Sequence, residues 1–297
     1  MSDNPSNHAI DIREWVDKAR GTPHHRERQA TEVFLAALGA TPGYREKMYL
    51  KGGLLMGLVH GSPRQTADID LTAEMEPTHK DIDALRDNLD RSLRRTPALI
   101  GYPDLVCQIQ SVKPQPRPKT FEDSRFPGLK VTVAYANRDT RNHERLKRGD
   151  CPEVLKVDVS YREPIYAVEL IRLDANSSIS AYSTTDVIAE KFRALLQQVS
   201  RGHPRRRQDV YDLAFLARRI PPDDAEKAEI LRALKEKARA RDIEPQADSL
   251  SDPEIRKRAE QDWNTLDLEL TDLPPFEQEY RVVEDFYLSL PWDNSSA

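Results

Sequence analysis

The chain has 297 residues, 32% of them charged and 38% hydrophobic, with a formal net charge of −5. That is length enough for one large domain or two unequal ones, and no apolar run approaches the roughly 18–20 residues that cross a bilayer. The net acidity excludes wholesale coating of nucleic acid but leaves room for a local basic groove.

The N-terminal MSDNPSNHAIDIREW has neither the basic start nor the apolar stretch of a secretory leader. Cys107 and Cys151 are the only cysteines, too few for a disulfide framework or a cysteine-built zinc site. A cytoplasmic protein with no membrane partner is the expectation.

In chain order, Ala30, Val33, Phe34, Ala37 and Leu38 recur at helical spacing and predict a helix over 24–38. MYLKGG (48–53) reads as a short strand running into a glycine turn. LLMGLVHG (54–61) reads as a short apolar helix with Gly61 placed to cap its C-terminus. The strand DIDLT (68–72) comes next, followed by a helix over about 78–95 with Ile82, Leu85, Leu89 and Leu93 on one face.

Three strand-like runs follow at 105–112, 129–136 and 153–162. The four prolines of KPQPRPKTFEDSRFPG (113–128) predict a protruding loop between the first two. Beyond about residue 183 the pattern turns helical. TTDVIAEKFRALLQQVS takes Thr184 or Thr185 as its N-cap, with Ile188, Phe192, Leu195, Leu196 and Val199 as its apolar stripe. RQDVYDLAFLARRI is a second helix stopped by Pro221-Pro222, and 222–241, 253–263 and 276–290 read as helices as well. The class is α+β: a mixed sheet domain over 1–180 and a helical domain over 181–297.

Aspartates are poor strand formers, yet Asp68 and Asp70 alternate with Ile69 and Leu71 as strand residues do. Residues i and i+2 of a strand share a face, so the two carboxylates project together roughly 6–7 Å apart. They repel unless a cation lies between them. Oxygen donors in this arrangement suit Mg²⁺ with a nucleoside triphosphate. In LKVDVSY (155–161), Leu155, Val157, Val159 and Tyr161 form one face, leaving Asp158 on the other with Lys156 and Ser160. Asp158 is therefore either a third metal ligand or a solvent-facing strand residue.

Lys191 lies three residues after Ile188, at the edge of the apolar stripe. An inward lysine needs an anionic partner, for which a phosphate serves; a snorkelling surface lysine is the alternative. Asp209 shares a helix face with Leu213 and Leu216, or is a first-turn acid favoured by the helix dipole, and Asp212 follows three residues later. Two basic stretches stand out, RDTRNHERLKR (138–148) and RGHPRRR (201–207). A solvated loop is the plain reading of the first.

Taken in order, YLKGG, then GSPRQTADIDL, a carboxylate strand, AEKFRAL and RRRQDVYDLAFL resemble the abortive-infection AbiEii-type nucleotidyltransferase-like toxins across residues 49–216. The resemblance implies a nucleotidyltransferase fold with a helical C-terminal domain. It implies that Asp68, Asp70 and Asp158 hold Mg²⁺ or Mn²⁺, with Asp158 also orienting the attacking hydroxyl. Lys191 and Asp209 or Asp212 match the family's other active-site positions, with helix phase favouring Asp209 and family position Asp212. Lys51, Gly52, Gly53, Arg64, Thr66 and Arg207 would surround the triphosphate. Gly53 stands where the wider superfamily often carries a serine, which leaves phosphate contacts to Ser62, Thr66 or backbone N–H groups. The implied function is a toxin that transfers nucleotides from an NTP to an RNA acceptor, a tRNA 3′ end by family analogy, and that is answered by a cognate antitoxin protein. Modification of a protein hydroxyl and a catalytically idle nucleotide-binding module are the alternatives.

Overall fold

The computed structural model describes residues 7–174, 177–201 and 206–292. The chain divides into two compact units. The first comprises Met1–Val59, Thr66–Glu163 and Val168–Ala181; the second comprises His60–Gln65, Pro164–Ala167 and Tyr182–Ala297. The chain therefore enters the second unit twice, briefly, before its helical half begins.

The first unit runs through β1 (Asn7–Ala9), α1 (Ile12–Asp17), α2 (His25–Ala40), β2 (Met48–Lys51), α3 (Gly52–Val59) and β3 (Asp68–Ala73). It continues with α4 (His79–Leu99), β4 (Leu105–Gln115), β5 (Gly128–Asn137), α5 (Arg141–Arg148), β6 (Val154–Tyr161), β7 (Val168–Arg172) and β8 (Ser178–Tyr182). The strands form one mixed sheet in the order β1-β7-β8-β2-β3-β6-β5-β4. The pairs β1–β7, β2–β8 and β3–β6 are parallel, whereas β2–β3, β5–β6 and β4–β5 are antiparallel.

Alternation gives this sheet two unlike faces. Ile69 and Leu71, Leu129 and Val131, and Leu155, Val157 and Val159 are all buried. Helices α2 and α4 pack against the strands. α2 is buried all round from Ala30 to Leu38, and it comes close to β8 because Gly39 has no side chain; a Cβ there would lie 2.3 Å from the Ser178 carbonyl oxygen. The opposite face carries Asp68, Asp70, Lys156, Asp158 and Lys130.

Two expectations need correction here. The proline-rich stretch is not all loop: β4 runs through Pro114 to Gln115 and pairs with β5 as far as Gly128. β4 is the last strand of the sheet, and an edge tolerates a missing backbone donor. The segment after it turns inward on Phe121, which is fully buried. The basic stretch 138–148 holds a helix rather than a solvated loop. Thr140 caps α5 by accepting from the His143 N–H at 3.2 Å, and Gly149 ends it in the left-handed conformation.

The second unit contains α6 (Thr184–Arg201), α7 (Arg207–Arg219), α8 (Asp224–Arg239), α9 (Pro253–Glu260) and α10 (Phe276–Leu288). Phe192 of α6 meets Phe286 and Tyr287 of α10 edge-on, with ring centroids 5.3 and 5.1 Å apart. Here too the cap differs from expectation: the Asp186 N–H donates to the Ser183 hydroxyl at 3.2 Å, so Ser183 rather than Thr184 or Thr185 starts α6. Val199 is 41% exposed and lies outside the apolar stripe. Among the described residues no helix is long and apolar enough to cross a membrane.

Candidate active site

In the first unit, β2 ends in Lys51 and the chain turns at Gly52 directly into α3. Gly52 has φ +70°, and a Cβ there would lie 2.1 Å from Asp70 Oδ2. Only glycine satisfies both the left-handed backbone and the approach to that carboxylate. The buried Leu54, Leu55 and Met56 anchor α3, and Ile69 and Leu71 anchor β3. The turn and the D-x-D strand thus reach each other because both are fixed from the core side.

The register extends this arrangement across the sheet. Lys51 is opposite Asp70, Asp70 is beside Asp158, Asp158 is opposite Lys130, and Lys130 is opposite Lys113. One residue pair along, Asp68 is beside Lys156, which is opposite Thr132. Neighbouring strands lie about 4.8 Å apart, so Asp70 and Asp158 are side by side, with a lysine on the strand beyond each. Lys51 Nζ reaches across to Ser160 Oγ at 3.5 Å. Asp68 and Asp158 are exposed, and neither forms an ion pair or a side-chain hydrogen bond among the described residues.

The donor set suits a hard divalent cation: three carboxylates on one face, two of them on adjacent strands, with no thiolate or imidazole among them. Their side chains form an open rail rather than a closed cage. Among the described residues no three His, Cys, Asp or Glu side chains are gathered tightly enough to hold a metal ion.

The second unit assembles the other expected residues differently. Arg64 is 7% exposed and grips Asp212 with both edges of its fork, Nε to Oδ1 at 3.0 Å and Nη2 to Oδ2 at 2.9 Å. Its Nη1 donates to Glu269 at 2.8 Å. Lys191, 6% exposed, donates to Asp212 at 2.7 Å and to Asp209 at 3.0 Å. The anionic partners of this inward lysine are therefore carboxylates. Asp212 is fully buried between two cations, whereas Asp209 keeps some exposure.

Burial alone would raise the Asp212 carboxyl, but Lys191 and Arg64 outweigh it and hold the group below its ordinary range. The converse holds for Lys191. Burial pulls it down, while Asp212 and then Asp209 lift it above the usual lysine value against the opposition of Arg64. Arg64 is likewise raised: burial acts to lower it, and the charges and hydrogen bonds of Asp212 and Glu269 prevail.

Thr66 is half-buried, and so is Arg207, whose Nε is buried without a hydrogen-bond partner among the described residues. Arg205 lies outside the described residues. Glu269, Ser160 and Lys130 carry no motif in the sequence. Glu269 meets Arg64 across 205 positions of chain, a pairing visible only after folding. The alternation in β5 and β6 holds a partial signal for the other two.

A family profile described as "Nucleotidyl transferase AbiEii toxin, Type IV TA system" matches residues 33–282, well beyond the 49–216 over which the motifs are legible. Among solved structures, the nucleotidyltransferase toxin MenT4 from Mycobacterium tuberculosis is similar at TM-score 0.58 and 14% identity, covering 95% of this chain and 91% of its own. JHP933 from Helicobacter pylori is similar at TM-score 0.49 and 15% identity, covering 88% of each chain. Among curated proteins none matches the chain.

Proposed function

Because the chain belongs to the AbiEii nucleotidyltransferase toxin family of type IV toxin–antitoxin systems, we propose that it transfers nucleotides from a nucleoside triphosphate to an RNA acceptor, a tRNA 3′ end. An antitoxin partner goes with the family. The observation that carries the reading is the row Lys51–Asp70–Asp158 on adjacent strands, with Gly52 packed against Asp70. That row joins the three chemical needs of the reaction on one sheet face: positive charge, open backbone and oxygen donors.

Asp68, Asp70 and Asp158 are the residues that would hold a divalent cation (Mg²⁺ or Mn²⁺), which when bound would supply positive charge to offset that of the triphosphate. The remaining work falls to the chain itself. Gly52 and Gly53 open the backbone at the start of α3, where N–H groups and the helix dipole favour phosphate. Lys51 neutralises charge on the same side. Asp158, exposed and without an ion pair among the described residues, orients the acceptor hydroxyl and accepts its proton as that oxygen attacks the α-phosphorus and pyrophosphate leaves. Thr66, Lys191 and Arg207 serve the triphosphate, following their places in the family pattern, and Asp209 acts through Lys191, whose ammonium donates to it at 3.0 Å. Asp212 acts by holding Lys191 and Arg64 in place.

The test incubates purified protein with each α-labelled NTP, total tRNA and Mg²⁺ or Mn²⁺, with and without chelator. Label joined to tRNA and abolished by chelator is the expected result. Label on protein instead of RNA selects the protein-acceptor reading, and no transfer from any NTP overturns the enzyme reading.

A further inference from the structure

The polar face of the sheet does not end at the carboxylates. Beyond Asp158 it carries Lys130 and Lys113, which are directly opposite each other on β5 and β4. Lys156 of β6 is diagonal to Lys130, beside Asp68. All three lysines are exposed, and none forms an ion pair or a side-chain hydrogen bond among the described residues. Some exposed lysines elsewhere find carboxylates, as Lys18 with Glu14 at 2.9 Å and Lys147 with Glu144 at 2.7 Å, while Lys47, Lys80, Lys119 and Lys257 form no such pair among the described residues. What sets Lys113, Lys130 and Lys156 apart is that they share one sheet face. Like charges directly opposite on a strand pair are destabilising, and Lys113 faces Lys130 with no carboxylate partner of its own among the described residues, whereas Lys130 has Asp158 opposite on its other side. Such departures mark function more often than structure.

We propose that Lys113, Lys130 and Lys156 form the track along which the phosphodiester backbone of the acceptor RNA reaches the carboxylates; the inference rests on the nucleotidyl-transfer reading given above. The half-buried hydroxyls of Thr132 and Ser111 are opposite each other in the same register and add neutral donors of the kind that contact phosphate oxygens. At the far end the face is closed by α5, where Leu146 packs on Ala134 and Ala136 and its carbonyl accepts from Gln108 at 3.2 Å. The open strip therefore leads from α5 towards Asp158.

The sides of the row decide between donor and acceptor. Lys51 and the glycine turn flank Asp70 on the β2 side, while Lys130 and Lys113 flank Asp158 on the β5–β4 side. Attacking and leaving oxygens lie roughly in line across the phosphorus, so the two basic flanks serve opposite reactants. Lys113 is two strand spacings from Asp158, about 10 Å, a span that suits a chain of phosphates better than one triphosphate anchored beside Gly52.

The experiment uses the full chain carrying Lys113→Gln, Lys130→Gln and Lys156→Gln, beside a control carrying Lys18→Gln and Lys147→Gln. Binding of fluorescein-labelled tRNA is followed by anisotropy across a salt series, and KM is measured separately for tRNA and for the preferred NTP. In the triple variant tRNA affinity should fall about tenfold or more. The log–log salt slope should shrink by about 2, near 0.7 for each lost contact to a single strand. KM for NTP and the thermal midpoint should match wild type, and the control should bind tRNA as wild type does. Unchanged tRNA affinity and slope in the triple variant, with wild type still transferring to RNA, overturns the track and leaves the transfer reading standing. A raised KM for NTP with tRNA binding intact overturns it in favour of a triphosphate clamp. A wild type that transfers nothing to RNA breaks the underlying reading instead.

Discussion

Two sets of carboxylates in this chain, each legible as candidate chemistry, live under opposite electrostatic conditions. In the first unit Asp68 and Asp158 stand exposed on a strand face without ion pairs among the described residues, beside Asp70. In the second unit Asp212 is fully buried and gripped by Lys191 and Arg64. Juxtaposed acids without full compensation strain a fold and are kept for what they bind. Acids sealed between cations hold a fold together and become ruinous when one partner is removed. Motif membership treats the sets alike; burial and partners separate them.

The sharpest way to break that contrast is a crossed pair of isosteric substitutions. Asp70→Asn should lower nucleotide transfer by about 10²–10³-fold, the scale of losing one group that stabilises developing charge, while the thermal midpoint stays or rises. Asp212→Asn should destabilise the protein by about 3 kcal/mol, the low end for breaking a buried pair, because Asp209 and Glu269 still give Lys191 and Arg64 one partner each. Calorimetry and a transfer assay on both variants read the result. If Asp70→Asn unfolds the chain, or Asp212→Asn leaves its stability intact, the division of labour is wrong.

How much of this was legible beforehand depends on range. Local pattern carried β3 and β6, because Ile69, Leu71, Leu155 and Val157 alternate cleanly, and it carried α6 and α7 through their apolar stripes. It put Asp68, Asp70 and Asp158 on polar faces. Pairing was out of reach: nothing in the sequence says that β3 and β6 are parallel neighbours, and so nothing places Asp70 beside Asp158. The proline rule failed at Pro114 because edge or centre is a property of the finished sheet. Helix phase placed Lys191 at the edge of the apolar stripe, and it is buried; the burial of Arg64 was not legible, because only the family resemblance singled that residue out. Their carboxylate partner Asp212, met across 148 positions of chain from Arg64, required the fold. β7 and β8 were missed because VELIR and SISAY are short and lack strong turn signals on both sides.

A smaller effect sharpens the glycine turn. Gly52→Ala forces a Cβ onto Asp70 Oδ2 and strains a φ of +70°, a backbone cost of about 1–2 kcal/mol. Displacement of Asp70 should lower kcat by more than that stability loss implies. Gly57→Ala, in the same helix with open space around its Cβ position, should instead stabilise by about 0.5–1 kcal/mol and leave kcat unchanged. Equal kcat in the two variants would detach the turn from the site.

The smallest effect concerns pH, and its sign follows from the buried network. The Asp212 carboxyl is held below its ordinary value of 3.8, so its contribution to stability is present above that value and is lost as pH falls through the lower, folded one. Lys191 is held above its ordinary 10.5, so its contribution is complete below that value and disappears only as pH rises beyond it. Between those limits the pair is fully formed and its contribution is flat. Lys191→Met should therefore destabilise by a constant amount from about pH 5 to 9. The gap to wild type should close only below about pH 4, where protonation of Asp212 removes the charge that Lys191 answers. Urea unfolding of both proteins across this range is the measurement. A gap that varies through neutral pH would mean that another titrating group governs the second unit.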